Sequence, residues 1–151
     1  MPDHTSVYLR AVGTYQNSEH GSYSLQTESL HIDHLATMLD DSTQSTSPEE
    51  LLLSAAAGCY LITLKTLLVN REVAFTSIEL NSEGHVINDG GLRFDSIVHR
   101  PAILLEHPAD EAELRVLAAH AEHTCMVSCA IRGNVAVSVE PTILVQTAHS
   151  S

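Results

Sequence analysis

The stretch SPEELLLSAAAGCY, residues 47–60, contains the clearest helix start in the chain. Ser47 can cap the helix, Pro48 suits the first helical position, and Glu50 completes a capping box with Ser47. From residue 51 to about residue 70 the side chains are apolar nearly all round. Because a helix that is apolar on every face is buried, we predict a long helix that runs through the centre of the molecule.

The segment before this helix has the alternation and polar turns of strands. We predict strands at residues 7–15, 22–28 and 30–35, a turn at residues 17–21 and a polar loop at residues 40–47. After the helix, the pattern predicts strands at residues 75–83 and 92–105, joined by the turn Asn88-Asp89-Gly90-Gly91, with Pro101 at a bulge or edge position.

A second helix is predicted from Asp110, burying Leu114, Leu117, Ala118 and Ala121. Thr124 can cap a short third helix over residues 125–131, which ends before Gly133, and residues 135–139 alternate as a final strand. This order of elements predicts an α+β fold, with a mostly antiparallel sheet around the long central helix.

The totals predict one domain spanning residues 1–151. Seven Lys and Arg stand against nineteen Asp and Glu, so the chain has little to neutralise phosphate, and we exclude nucleic acid and anionic lipid as partners. The first residues lack the features of a signal peptide. The uncharged run at residues 51–64 is too short to span a bilayer, and we therefore predict a cytoplasmic protein.

The three cysteines form no CxxC motif, and the residues alone leave their roles open. Burial is the commoner role for a cysteine such as Cys59. Cys125 falls in the first turn of the predicted third helix, where free N–H groups favour a thiolate. Cys129 lies one turn further on, and we assign it to the core.

Glu49 precedes Cys59 by ten residues, which is about 15 Å along one helix and too far for contact. If the two side chains cooperate, Glu49 must come from a second copy of the chain, and the small residues before Cys59 permit such a crossing. The alternative is that Glu49 only complements the helix dipole.

The motifs S-P-E-E-L at residues 47–51, A-A-G-C at residues 56–59, C-M-V-S at residues 125–128 and G-N-V at residues 133–135 resemble those of the OsmC/Ohr family. These are the osmotically induced and organic hydroperoxide resistance proteins. In order and spacing the resemblance covers nearly the whole chain. The family usually has proline after its second cysteine, where this chain has Met126.

The resemblance implies an intertwined homodimer with active sites at its interface, acting as a thiol peroxidase in oxidative-stress defence. Cys59 attacks an organic hydroperoxide and becomes a sulfenic acid, which Cys125 resolves as a disulfide. An external dithiol, typically lipoyl-linked in the family, reduces that disulfide, and no metal or flavin cofactor is needed. Glu49 takes the acidic position that holds the family's arginine.

No arginine occurs between Val12 and Lys65, where the resemblance places one. A buried thiolate without a cation has a raised pKa, so we expect Cys59 to react slowly. Arg10 is the nearest candidate cation, although a surface role is the commoner one for such a residue. We also consider the histidines of this region, which are His20, His31 and His34.

Three alternatives remain. The chain can be a non-catalytic member of the same fold that binds a small apolar molecule between subunits. It can also bind zinc through four nearby side chains, which are His120, His123, Cys125 and Cys129. A purely structural role explains neither Glu49 nor the paired cysteines.

Overall fold

The computed structural model describes residues 5–16, 20–39 and 45–147. The chain forms two compact units, Met1–Leu52 and Leu53–Ser151. The single domain over residues 1–151 stays a prediction. The α+β class is confirmed by seven strands and three helices among the described residues.

The first unit holds three antiparallel strands in the order β1-β2-β3, which are β1 (Arg10–Gln16), β2 (His20–Gln26) and β3 (His31–Leu35). The three predicted strands are therefore confirmed, although their ends differ. The predicted turn falls partly at residues 17–19, outside the described residues, and Gly21 already belongs to β2.

The predicted loop at residues 40–47 lies outside the described residues from 40 to 44. Its end is not free, because Thr46 forms a parallel bridge with Leu35. The Thr46 N–H donates to the His34 carbonyl at 3.0 Å. The polar composition did not reveal this backbone pairing within the loop.

Helix α1 (Pro48–Asn70) begins with the predicted capping box. The Glu50 N–H donates to Ser47 Oγ at 3.1 Å, and the Ser47 N–H donates to Glu50 Oε2 at 3.4 Å. These bonds satisfy two of the N–H groups that every helix start leaves free. The helix therefore starts where the sequence indicates.

Helix α1 buries only one face, formed by Ala56, Tyr60, Leu64 and Leu68. On another face Ile62 is 68% exposed. The prediction that α1 is buried all round is wrong for the single chain, because the sheet and second helix of its own unit cover only one side.

By length and composition alone, α1 as a whole could also cross a membrane. The uncharged run at residues 51–64 is shorter than this helix, which continues past Lys65 to Asn70. A core helix of a soluble protein meets the same criteria. The cytoplasmic location stays a prediction.

The sheet of the second unit is mixed. Strands β4 (Phe75–Asn88) and β5 (Leu92–Leu105) form a long antiparallel hairpin, and β6 (Ala136–Val139) and β7 (Thr142–Val145) pair parallel with β5. Strand β4 extends beyond the predicted end at residue 83, and β7 was not predicted. Pairing with β5 along its whole length extends β4 through Gly84, a residue that alone disfavours strands.

Pro101 lies inside the central strand β5 and pairs with Leu80 without a bulge. The prediction of a bulge or edge position is therefore wrong. Along a strand, the backbone N–H and C=O groups of successive residues point to opposite neighbouring strands. The His99 carbonyl accepts from the Glu140 N–H, so the backbone of Pro101, two residues later, also points to the edge of β5 that pairs with β6 and β7. It meets the gap between β6 and β7, where no strand needs its missing N–H.

Helix α2 (Glu111–Thr124) is capped by Asp110, whose Oδ1 accepts from the Ala112 N–H at 3.0 Å. Its apolar face packs against α1 and β5 in one core cluster. The buried members are Tyr60, Leu64, Leu68, Ile103, Leu105, Leu114, Leu117, Ala118 and Ala121. The predicted inward face of the second helix is confirmed.

His99 on β5 is a buried residue that the sequence analysis did not single out. Its Nδ1 lies 2.7 Å from Ser82 Oγ, and its ring stacks on Tyr60 with a centroid distance of 4.6 Å. The Tyr60 hydroxyl donates to the Ala118 carbonyl at 3.0 Å. His99 and Tyr60 therefore link strand β5 to helices α1 and α2.

Candidate active site

Cys125 is the junction between α2 and the short helix α3 (Met126–Ile131). Its backbone is extended, with φ −60° and ψ 126°, so the helical path breaks there. The predicted cap Thr124 instead ends α2, where its hydroxyl donates to the His120 carbonyl at 3.0 Å. The break leaves the first N–H groups of α3 without partners inside that helix.

The structure brings Cys59 and Cys125 together, although 66 positions separate them in the sequence. Cys59 lies on α1 and is half-buried, and Cys125 is fully buried at the α2–α3 junction. The two thiols are close enough for each to shift the pKa of the other, and both are free cysteines.

Burial alone raises the pKa of the Cys59 thiol, but hydrogen bonds outweigh it, and the pKa lies below its ordinary value. The donors are the Cys125 thiol, the backbone N–H groups of Val127 and Met126, and the Thr63 hydroxyl. Such bonds strengthen when the acceptor is charged. The expectation of a raised pKa without a cation is therefore corrected, because neutral donors lower the pKa instead. The reason for expecting a slow reaction no longer applies.

Burial raises the pKa of the Cys125 thiol, and its hydrogen bond to Cys59 raises it further. Backbone N–H groups of α3 oppose this shift without overcoming it. The first turn of α3 was expected to favour a Cys125 thiolate, and its N–H groups do lower the pKa of both thiols, but for Cys125 burial outweighs them. The pair is therefore polarised, with Cys59 the more acidic thiol and Cys125 the proton donor.

Two other predicted site residues, Arg10 and Glu49, belong to the first unit. Arg10 is exposed on β1, opposite Gln26. Glu49 is half-buried in the first turn of α1, and its Oε2 is buried without a hydrogen-bond partner among the described residues. A buried carboxylate oxygen normally accepts a hydrogen bond, and the described residues of the single chain supply no donor for this one.

The histidines considered as substitute cations also belong to the first unit. His31 Nε2 lies 2.7 Å from Asp33 Oδ1, and both side chains are exposed. His34 is exposed on β3, and the side chain of His20 lies outside the described residues.

Cys129 was assigned to the core, and this is wrong because its side chain is exposed. Its thiol donates to the His123 carbonyl at 3.4 Å, and Arg132 approaches the sulfur to 3.5 Å. Over residues 5–16, 20–39 and 45–147, no three metal-binding side chains form a group that could hold an ion. The zinc alternative is therefore not supported.

Sequence reasoning missed two contributors to the site, the hydroxyl of Thr63 and the N–H of Met126. Thr63 could have been found, since a residue four positions after Cys59 shares its helix face. The N–H of Met126 could also have been found, because this residue stands where the family usually has proline, which has no backbone N–H.

The OsmC family, described as OsmC-like protein, matches residues 40–140 of this chain. The uncharacterised protein YmaD of Bacillus subtilis (strain 168) is 35% identical over 109 residues, 70% of this chain and 73% of that protein.

Two solved structures share the fold. The OsmC-like protein from Mycoplasma pneumoniae superposes with a TM-score of 0.75 at 18% identity, covering 93% of this chain and 98% of the other. The organic hydroperoxide resistance protein OhrB of Bacillus subtilis gives a TM-score of 0.68 at 18% identity, covering 89% and 98%. With the family match extending over both cysteines and the capped start of α1, this chain belongs to the OsmC-like protein family.

Proposed function

We propose that this protein is a thiol peroxidase that reduces organic hydroperoxides in oxidative-stress defence. The polarised Cys59–Cys125 pair is the observation that carries the proposal. The Cys59 thiolate attacks the terminal peroxide oxygen, and the O–O bond breaks. The alkoxide takes up a proton and leaves as the alcohol, while Cys59 becomes a sulfenic acid.

Cys125 then resolves the sulfenic acid. Its sulfur attacks the Cys59 sulfur and displaces hydroxide, which leaves as water with the Cys125 proton and gives the Cys59–Cys125 disulfide. A dithiol reductant, lipoyl-linked in this proposal, supplies two electrons and two protons to restore both thiols. No metal or flavin takes part in this cycle.

The cycle is tested by single-turnover oxidation of the reduced wild-type protein. We expect one equivalent of cumene hydroperoxide to remove two of the three thiols rapidly, and hydrogen peroxide to act much more slowly. If all three thiols survive for minutes, the peroxidase proposal fails.

We also propose that the protein works as a homodimer in which Glu49, and Arg10 as the candidate cation, complete the partner's site. Two observations support a second copy. The buried Oε2 of Glu49 has no donor within the described chain, and the exposed residues of α1 include Ala55, Gly58 and Ile62. A Cβ added at Gly58 meets nothing within 4 Å, so another backbone can approach closely there.

The dimer is tested by a charge placed on the open face of α1. We expect Ile62→Glu to give a monomer in sedimentation equilibrium, because burying an unpaired carboxylate at an interface is costly. Val116→Glu on α2 is the matched control, since Val116 is 67% exposed against 68% for Ile62. Equal masses for the two variants would contradict an interface on α1.

Met126 provides a test of the thiolate environment. Met126→Pro removes one N–H donor to Cys59, and we expect the Cys59 pKa to rise by about one unit. Proline suits this first helical position, and the extended backbone of Cys125 suits a residue before proline. The thiolate absorbance at 240 nm, followed against pH, measures the shift.

The control for this substitution is Met126→Ala, which keeps the N–H donor. We expect it to titrate like the wild type. If the proline and alanine variants titrate alike, the Met126 N–H does not stabilise the thiolate.

The second candidate function is binding of a small apolar molecule without catalysis. A cavity of about 430 Å³ beside α1 supports it, lined by Leu61, Ile62, Lys65, Phe75 and Ile78. Thiols that resist organic hydroperoxide, together with saturable binding of an apolar fluorescent probe, would favour this function.

A further inference from the structure

Thr63 is placed to interact with Cys59 in two ways. It lies four residues after Cys59 on α1, so the two side chains share one helix face. Thr63 Oγ1 donates to the Cys59 carbonyl at 2.8 Å, and the hydroxyl in this same position lowers the pKa of the Cys59 thiol. The side chain is half-buried, which shields these contacts from water.

A hydroxyl carries only one proton, so Thr63 can donate fully to only one of these two acceptors at a time. The carbonyl is the better acceptor while Cys59 is a neutral thiol. Once the sulfur is charged, a charge-assisted bond to it is the stronger one. The hydroxyl hydrogen rotates about the Cβ–Oγ1 bond, so the change of partner needs no movement of the helix.

The carbonyl does not lose its helical bond when Thr63 turns away. Within a continuous helix the Cys59 carbonyl also accepts from the Thr63 backbone N–H. The bond from the hydroxyl is therefore an additional one, and releasing it leaves no buried acceptor without a partner.

We propose that Thr63 is a positioning residue for Cys59, whose hydroxyl leaves the Cys59 carbonyl and donates to the sulfur when that sulfur is charged. This donor holds the thiolate in one direction and supplies part of the stabilisation that a cation would give. Its catalytic consequence rests on the proposed peroxidase function, whereas its effect on thiol ionisation does not.

The test compares two threonines on the same helix. Thr66 Oγ1 donates to the Ile62 carbonyl at 2.9 Å, which is the same back-bond without a cysteine beside it. Thr63→Val and Thr66→Val therefore lose equivalent backbone contacts, and Thr63→Ser restores the hydroxyl. Site-resolved alkylation by iodoacetamide, read by peptide mass spectrometry across pH, gives the titration midpoint of Cys59 alone.

We expect the Cys59 midpoint to rise by about one pH unit in Thr63→Val, and to stay at the wild-type value in Thr66→Val and Thr63→Ser. Below the midpoint, the rate constant for cumene hydroperoxide should fall about tenfold in Thr63→Val and recover at high pH. Equal midpoints for the two valine variants would overturn the proposal. A shifted midpoint in a protein that does not react with hydroperoxide would uphold Thr63 and reject the peroxidase.

Discussion

Replacing Cys59 by serine should abolish the reaction with organic hydroperoxide, lowering the rate by at least about a thousandfold. A serine hydroxyl at this position keeps the hydrogen bonds but stays protonated at neutral pH, so no nucleophile of comparable strength remains. After one equivalent of cumene hydroperoxide, Cys59→Ser should retain both of its remaining thiols. The measurement is a thiol titration after rapid quenching.

The other two cysteines serve as controls in the same assay. Cys125→Ser should lose the Cys59 thiol but form no disulfide, and excess peroxide should carry Cys59 on to the sulfinic acid. Cys129→Ser should lose two thiols like the wild type, since the exposed Cys129 lies outside the polarised pair. Rapid thiol loss in Cys59→Ser would move the peroxidatic role to another cysteine.

His99 should make the fold sensitive to acid. Burial lowers the pKa of His99 to about 4, against an ordinary value of 6.5. Its Nε2 is buried with no hydrogen-bond partner among the described residues, so a proton there would have no acceptor. The unfolded chain takes up that proton below pH 6.5, and the stability that neutral His99 provides is lost as the pH falls towards 4.

The variant His99→Phe removes this titration while keeping a ring against Tyr60. Between pH 7.5 and pH 4.5 we expect the wild type to lose about 2–3 kcal/mol more unfolding free energy than His99→Phe. Urea unfolding at one protein concentration measures both. The exposed His107→Phe should follow the wild type, and parallel pH profiles for all three proteins would contradict a role for His99.

The start of α1 and the inward face of α2 could be predicted because each follows from short-range patterns. The capping box of Ser47 and Glu50 and the spacing of Leu114, Leu117 and Ala121 need no knowledge of the rest of the chain. Strand β7 was missed because its four residues become a strand only by pairing with β5. The partial exposure of α1 was missed because composition does not tell which faces of a helix the rest of the chain covers.

The cysteine pair was found through resemblance, and its electrostatics could not be predicted from the sequence. The sequence contains no arginine between Val12 and Lys65 that could stabilise a Cys59 thiolate. The stabilising groups are backbone N–H donors exposed by the break at Cys125, and the sequence pattern placed that break one residue too early. These donors lower the pKa of both thiols, and the sequence analysis predicted their effect on Cys125 but missed their effect on Cys59.

Pro101 also has a consequence for how the sheet assembles. The burial pattern of β5 opposes a slip of one residue, which would turn every side chain to the wrong face, but it tolerates a slip of two. Moving β5 by two residues against β6 or β7 would put a residue without an N–H where the parallel ladder needs a donor. Pro101 thus disfavours a shifted register of β5 against β6 and β7. The observed register is the one in which His99, two positions earlier, stacks on Tyr60.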